Sequence, residues 1–199
     1  DGMYVIDSIK QRLHRDIVAD PQLHARVLNL YLCGEAYPHA VDDYFPVAHV
    51  QCPELAAKMR AHLQDEDKHV ALYAKAIGKL GQAVIDLDGS AIFNHVIRAH
   101  TAAPWRVEAG MDADTTRDRV ANFLAHAHFL EKRVAHSLGM HQEACAHSPS
   151  EYPGKAVAAV LADEIRHVGY TREAVFDLLP RQRALDVLAH HQRAERRAN

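Results

Sequence analysis

Asp65-Glu66-Asp67-Lys68-His69 decides the reading of this chain, because it recurs as Asp163-Glu164-Ile165-Arg166-His167. Residues i and i+3 share one face of a helix, so Glu66 with His69, and Glu164 with His167, each direct a carboxylate and an imidazole the same way. One Glu-x-x-His is expected roughly once by chance in a chain this rich in Glu and His. A pair of them, each with Asp before Glu, is much rarer.

A lone glutamate precedes each copy. Glu35 lies about ten residues before the turn signalled by Pro46 and Pro53, and Glu66 about a dozen after it. Glu131 runs toward the His147-Ser148-Pro149-Ser150 break, and Glu164 returns beyond it. Antiparallel helices rising about 1.5 Å per residue bring each pair level. The separations, 31 residues from Glu35 to Glu66 and 33 from Glu131 to Glu164, are those of two similar helix hairpins. Four carboxylates and two imidazoles in this symmetric order are a donor set for two iron or manganese ions.

In these residues the chain resembles the ferritin-like di-metal carboxylate superfamily, whose pattern is Glu, Glu-x-x-His, Glu, Glu-x-x-His on four bundle helices. The resemblance spans Glu35 to His167. It implies a metal site of Glu35, Glu66, His69, Glu131, Glu164 and His167, in which one glutamate from each half bridges the metals and each histidine binds one of them. It also implies that Asp65 serves His167 and Asp163 serves His69 across the bundle, each accepting the second N–H of a metal-bound imidazole.

Sixteen histidines are dispersed along the chain. His39, one turn after Glu35, His62, one turn before Glu66, and His128, three residues before Glu131, are near-site candidates for a further ligand or proton relay. Tyr31, Tyr73 and Tyr170 stand one turn or less from Glu35, His69 and His167, as rings that either pack or act beside the metals. Trp105 is expected to be a core or cover residue.

The fold class is all-α. The spacing predicts helices near 3–19, 22–45, 53–80, 90–101, 115–145, 153–178 and 181–196. Asp20-Pro21 reads as a helix cap with proline at the first helical position, and Asp114-Thr115-Thr116 as another cap. The expectation is one ferritin-like domain over residues 1–199, with a core four-helix bundle at about 22–178. A long crossover containing Gly81, Gly89, Pro104 and Gly110 joins its halves, with additional N- and C-terminal helices. With 199 residues, 48% of them apolar and 25% charged, the chain can bury a sizeable core.

The net charge of −3 demands neither nucleic acid nor a membrane surface, and no apolar run reaches the roughly twenty residues of a spanning helix. The arginines at 181, 183, 193, 196 and 197 read as a solvated helix end. Cys33, Cys52 and Cys145 form no Cys-x-x-Cys, which argues against a zinc ribbon or rubredoxin-like centre. Cys33 reads as a small buried residue. An odd cysteine count suits a reducing cytoplasm.

The activity implied by the resemblance is that of a di-iron oxidase or oxygenase. Its cofactors would be two iron ions, with manganese or a mixed pair fitting the same ligands, and O2 as co-substrate. Its partners would be a small organic substrate and an electron-donor protein or reductant, in a monomer or homo-oligomer. The Asp-Glu-Ile-Arg-His form looks like the second motif of acyl desaturases and related hydroxylases. The alternatives are a ferritin- or rubrerythrin-like protein that handles iron or peroxide, and a metal-free helical interaction protein.

Overall fold

Aspartate and proline set where the helices start and stop. In the computed structural model, which describes residues 5–41, 44–88, 92–101 and 105–198, α1 spans Val5–Ala19 and α2 spans Pro21–Ala40. Asp20 Oδ1 accepts from the backbone N–H groups of Gln22 and Leu23 at 2.8 and 3.2 Å, satisfying two donors that the first turn leaves unpaired. Helix α3 spans Pro53–Lys79, α4 Phe93–Ala99, α5 Ala113–Ala144, α6 Glu151–Leu178 and α7 Arg181–Ala198. Among the described residues there is no strand. None of these helices is long and apolar enough to cross a membrane.

Several boundaries differ from expectation, and local contacts explain two of them. Helix α2 stops at Ala40 rather than near 45. Val41 turns extended, and Pro46 disfavours helical geometry at the residue before it. The chain instead folds Tyr44 inward, where it is buried with its hydroxyl 3.2 Å from His126 Nε2. The cap of α5 is Asp112, two residues earlier than expected, because Asp112 Oδ1 accepts from the N–H groups of Asp114 and Thr115. The Thr115 hydroxyl also donates to its other oxygen at 2.7 Å. Residues 3–4, 42–43 and 90–91 of the expected helices, with Gly89 and Pro104 of the crossover, lie outside the described residues.

Helices α2, α3, α5 and α6 pack side by side, α2 along α3 and α5 along α6, with α3 against α6. α1 lies on α2 and α5, α7 on α5, and the short α4 on α2 and α7. Asn29 holds the extended stretch after α3 to α2 with two bonds, donating to the Ile85 carbonyl at 2.6 Å and accepting its N–H at 2.9 Å. Pro38, inside α2, has no N–H for the carbonyl of Gly34 one turn earlier. Asn94 of α4 supplies the missing donor, its Nδ2 donating to that carbonyl at 3.2 Å. The crossover helix thereby closes a gap that proline opens beside Glu35.

The interior is layered. Met59, Phe123, Leu124, Val175 and Leu188 belong to one apolar cluster, and Leu28, Tyr73, Ile77, Leu138 and Val160 to another. On α3, Met59 belongs to the first and Tyr73 to the second, so the residues between them, His62 to His69, form a polar layer between two apolar ones. Glu131 of α5 stands between Phe123 and Leu138, and Glu164 of α6 between Val160 and Val175, in the same way. Burying charge there is expensive unless it is paired or bound to an ion.

Candidate metal centre

Glu35 comes from α2, Glu66 and His69 from α3, Glu131 from α5, and Glu164 and His167 from α6, and all six are buried. Two donor groups form from five of them and His62. Glu35, Glu66, His69 and Glu164 each offer one ligand atom within 4.8 Å of the others, and so do His62, Glu66 and His167. Glu66 belongs to both. Glu164 also faces both sides, with Oε1 3.3 Å from His69 Nδ1 and Oε2 3.4 Å from His167 Nδ1. Glu131 Oε1 lies 3.5 Å from His62 Nε2, beside the second group.

Both motif histidines turn Nδ1 toward the carboxylates and Nε2 outward. His69 Nε2 is 3.1 Å from Asp163 Oδ2, and His167 Nε2 is 3.2 Å from Asp65 Oδ2, so each aspartate serves the histidine of the other half. Arg166 bonds both aspartates, reaching Asp65 at 3.1 Å, and Lys68 also pairs with Asp163. Burial opposes ionisation of Asp163, but the hydrogen bonds from Lys68, Arg166 and His69 outweigh it and hold the carboxyl well below its usual range. An aspartate facing each Nε2 favours a proton there, which would leave Nδ1 as the nitrogen offered to an ion.

The electrostatics of the centre call for cations. Burial, then the charges of Glu35 and Glu131, push the Glu66 carboxyl well above its usual pKa. Burial and the same two neighbours do this to Glu164. Glu131 moves the other way, to about 2, because the hydrogen bond and charge of His62 outweigh its desolvation. Carboxyl groups this close cannot all ionise alone, so burial and the neighbouring charges favour the protonated forms of Glu66 and Glu164. Glu66 Oε1, Glu164 Oε1 and His62 Nε2 are buried without a hydrogen-bond partner, although the first and last lie 3.0 Å apart. Orphaned acceptors on hard oxygen and imidazole donors fit a pair of divalent ions that would displace those protons.

Compared with protein-family models, with curated proteins and with solved structures, the chain matches none. The reading of this centre therefore rests on its own geometry.

The structure sorts the six near-site candidates. His62 enters the centre, stacked on His167 at 3.6 Å between ring centroids, and its Nδ1 lies 2.7 Å from the Tyr170 hydroxyl. Tyr73 is buried next to it, its hydroxyl without a partner and its pKa raised well above the usual value by burial and then by Glu35. Tyr31 instead bonds His141, His39 pairs with the exposed Asp67 at 3.2 Å, and His128 bonds the Val168 carbonyl. Arg166 stands in the Asp-Glu-Ile-Arg-His form already noted, whereas Lys68 was not singled out from the sequence, although it holds the same place in its motif, the residue before the histidine.

A cavity of 260 Å³ reaches the centre from the α2–α5 side, touching Glu35, Glu66 and Glu131. Its other walls are mostly apolar, among them Tyr44, Phe45, Phe123 and Leu130, with Arg133 on its lining. The Arg133 guanidinium lies 3.9 Å over the Phe93 ring and pairs with Glu195 of α7.

Proposed function

We propose that this chain is a ferritin-like di-iron protein that uses O2 to oxidise a small, largely apolar organic molecule. The observation that carries the reading is the meeting of two features at one place, a buried four-glutamate, three-histidine donor set and an apolar cavity opening onto three of those glutamates. Two ferrous ions bound there would supply the two electrons that dioxygen reduction and substrate oxidation require.

Within the chain, Glu66 and Glu164 face both histidine motifs and would be shared by two ions held there. Glu35 with His69, and Glu131 with His167, would complete the two ends. Asp65 and Asp163 orient the imidazoles. His62 lies between the Tyr170 hydroxyl, 2.7 Å from its Nδ1, and the Glu66 and Glu131 carboxyls that face its Nε2. The Tyr170–His62 pair can deliver a proton to Glu131 or Glu66. The aromatic and aliphatic walls exclude water and select an apolar substrate near the small end of the size range for ligand cavities.

The cavity favours an organic substrate over iron or peroxide handling, which needs no apolar chamber beside the metals. The test is metal content per chain with an optical spectrum before and after O2, followed by a screen of small aromatic and aliphatic compounds. About two irons per chain, an oxygen-dependent absorption band and substrate-dependent O2 consumption support the proposal. Many irons per chain, or rapid peroxide turnover without substrate, would replace it with the storage or peroxidase reading. No bound iron or manganese after anaerobic reconstitution would overturn both.

A further inference from the structure

A second cluster of nitrogen and sulfur donors lies well away from the glutamates. His24 of α2, His141 of α5 and Cys145, in the turn leaving α5, each offer a ligand atom within 4.8 Å of the others. His24 stands eleven residues before Glu35 on α2, and His141 ten after Glu131 on antiparallel α5. At 1.5 Å per residue, this cluster sits about 15 Å along the bundle from the carboxylate layer.

The local geometry is unusual for a packed core. Nε2 of His24 and Nε2 of His141 meet head-on at 2.9 Å, and both rings are fully buried. The Tyr31 hydroxyl lies 3.1 Å from His141 Nδ1, so with Nδ1–H donating to that oxygen, Nε2 of His141 presents a lone pair toward His24. His24 Nδ1 is buried with no partner at all. His14 of α1 joins the group, its ring centroid 5.2 Å from that of His141 and its Nδ1 likewise buried and unpartnered. Gly154 leaves room for the Cys145 side chain, since a Cβ at that position would stand 3.0 Å from Cys145 Cβ.

We propose that His24, His141 and Cys145 form a binding site for one zinc-class divalent cation, separate from the four-glutamate centre. Two imidazoles and a thiolate are borderline-to-soft donors, which prefer zinc or a similar late metal to the hard-oxygen preference of the glutamate layer. Tetrahedral zinc with Zn–N bonds of about 2.0 Å places two nitrogens about 3.3 Å apart, so the 2.9 Å pair opens only slightly to admit the ion. Binding displaces the proton between the rings, which passes to His24 Nδ1 as that imidazole changes tautomer, and releases the Cys145 thiol proton to solvent. The Tyr31 hydroxyl then orients His141 as a carboxylate or carbonyl does in other sites. Such an ion ties α2 to the α5–α6 turn, beside α1, at the end of the bundle remote from the carboxylates. This inference does not depend on the function proposed for the glutamate centre.

Cobalt(II) separates the two sites by spectrum, because tetrahedral cobalt with a thiolate gives intense visible bands and a sulfur-to-metal charge-transfer band that oxygen and imidazole ligands do not. Titration of the whole chain is expected to develop those bands to a plateau at one cobalt, and zinc should bleach them. They should persist in the Glu66→Ala variant and vanish in Cys145→Ser, and His24→Gln should weaken binding by tenfold or more. Absence of a thiolate band in the unaltered protein at saturating cobalt overturns the proposal without recourse to any variant. Retention of the band in Cys145→Ser, which would assign it to Cys33 or Cys52, overturns it equally.

Discussion

The Tyr170 hydroxyl sits 2.7 Å from His62 Nδ1, and the other nitrogen of that ring reaches toward both Glu66 and Glu131. This places a neutral phenol, an imidazole and two carboxyls in one line. Tyr170→Phe removes only the hydroxyl. Iron content is expected to stay unchanged, while O2 consumption by the iron-loaded protein slows by about 10²-fold, the lower end for a lost proton-transfer partner. An unchanged rate removes the pair from the proton path.

Glu66 is shared by both donor groups, so its replacement has opposite effects with and without metal. Glu66→Gln keeps shape and removes a buried acid whose pKa is already raised by burial and neighbouring carboxylates. The metal-free variant should unfold at the same or a higher temperature than the unaltered protein. Its iron stoichiometry should fall from two toward zero. Thermal melts with and without iron, beside metal analysis, check both signs, and full iron retention would remove Glu66 from the ligand set.

Asp65 and Asp163 act through His167 and His69. Asp65→Asn and Asp163→Asn are each expected to weaken iron binding about 10- to 100-fold, the usual cost of losing a partner that orients a ligand. Competition with a chelator measures this. Equal affinity in both variants would make the aspartates surface charges held by Arg166 and Lys68.

Asn94 and Pro38 offer a stability test that needs no metal. Asn94→Ala leaves the Gly34 carbonyl without the donor that Pro38 cannot provide, at a cost of about 1–3 kcal/mol. Pro38→Ala restores the helical N–H, so adding Asn94→Ala to it should cost much less. A double-mutant cycle in urea reads the difference, and strict additivity would show that the bond carries no coupling.

His126 and His191 predict the acid limb of stability. Burial lowers His126 to about 4 and His191 to about 3, and the other histidines beside His191 add to its shift. Both pKa values lie below the unfolded value of 6.5, so their stabilisation is complete above pH 6.5 and is lost as pH falls toward 4 and then 3. Each contributes on the order of a few kcal/mol. Urea midpoints of the metal-free protein should fall over that window, with a shallower slope in His126→Gln, which cannot take up a proton. An unchanged slope would show that His126 is not the group responsible.

The helices themselves were legible in the sequence, because Asp20-Pro21, the apolar periodicity and the doubled Asp-Glu-x-x-His are local signals read over a turn or two of chain. The levelling of Glu35 with Glu66, and of Glu131 with Glu164, was legible too, since it follows from helix rise, whereas the meeting of the two hairpins in one layer was implied only by the family resemblance. Whether His62, His39 or His128 would join them was not. All three lie one turn or less from a glutamate, yet α2 ends at Ala40 just after His39, and His128 is angled around α5 onto a carbonyl of α6. Only the packing of α3 against α6 puts His62 on His167. The cavity, the partnership of Asn94 with Gly34 and the meeting of His24, His141 and Cys145 likewise belong to the tertiary structure. Each joins residues 60 or more positions apart, or sets a side chain's rotation about its own helix, and no spacing rule along one chain encodes either.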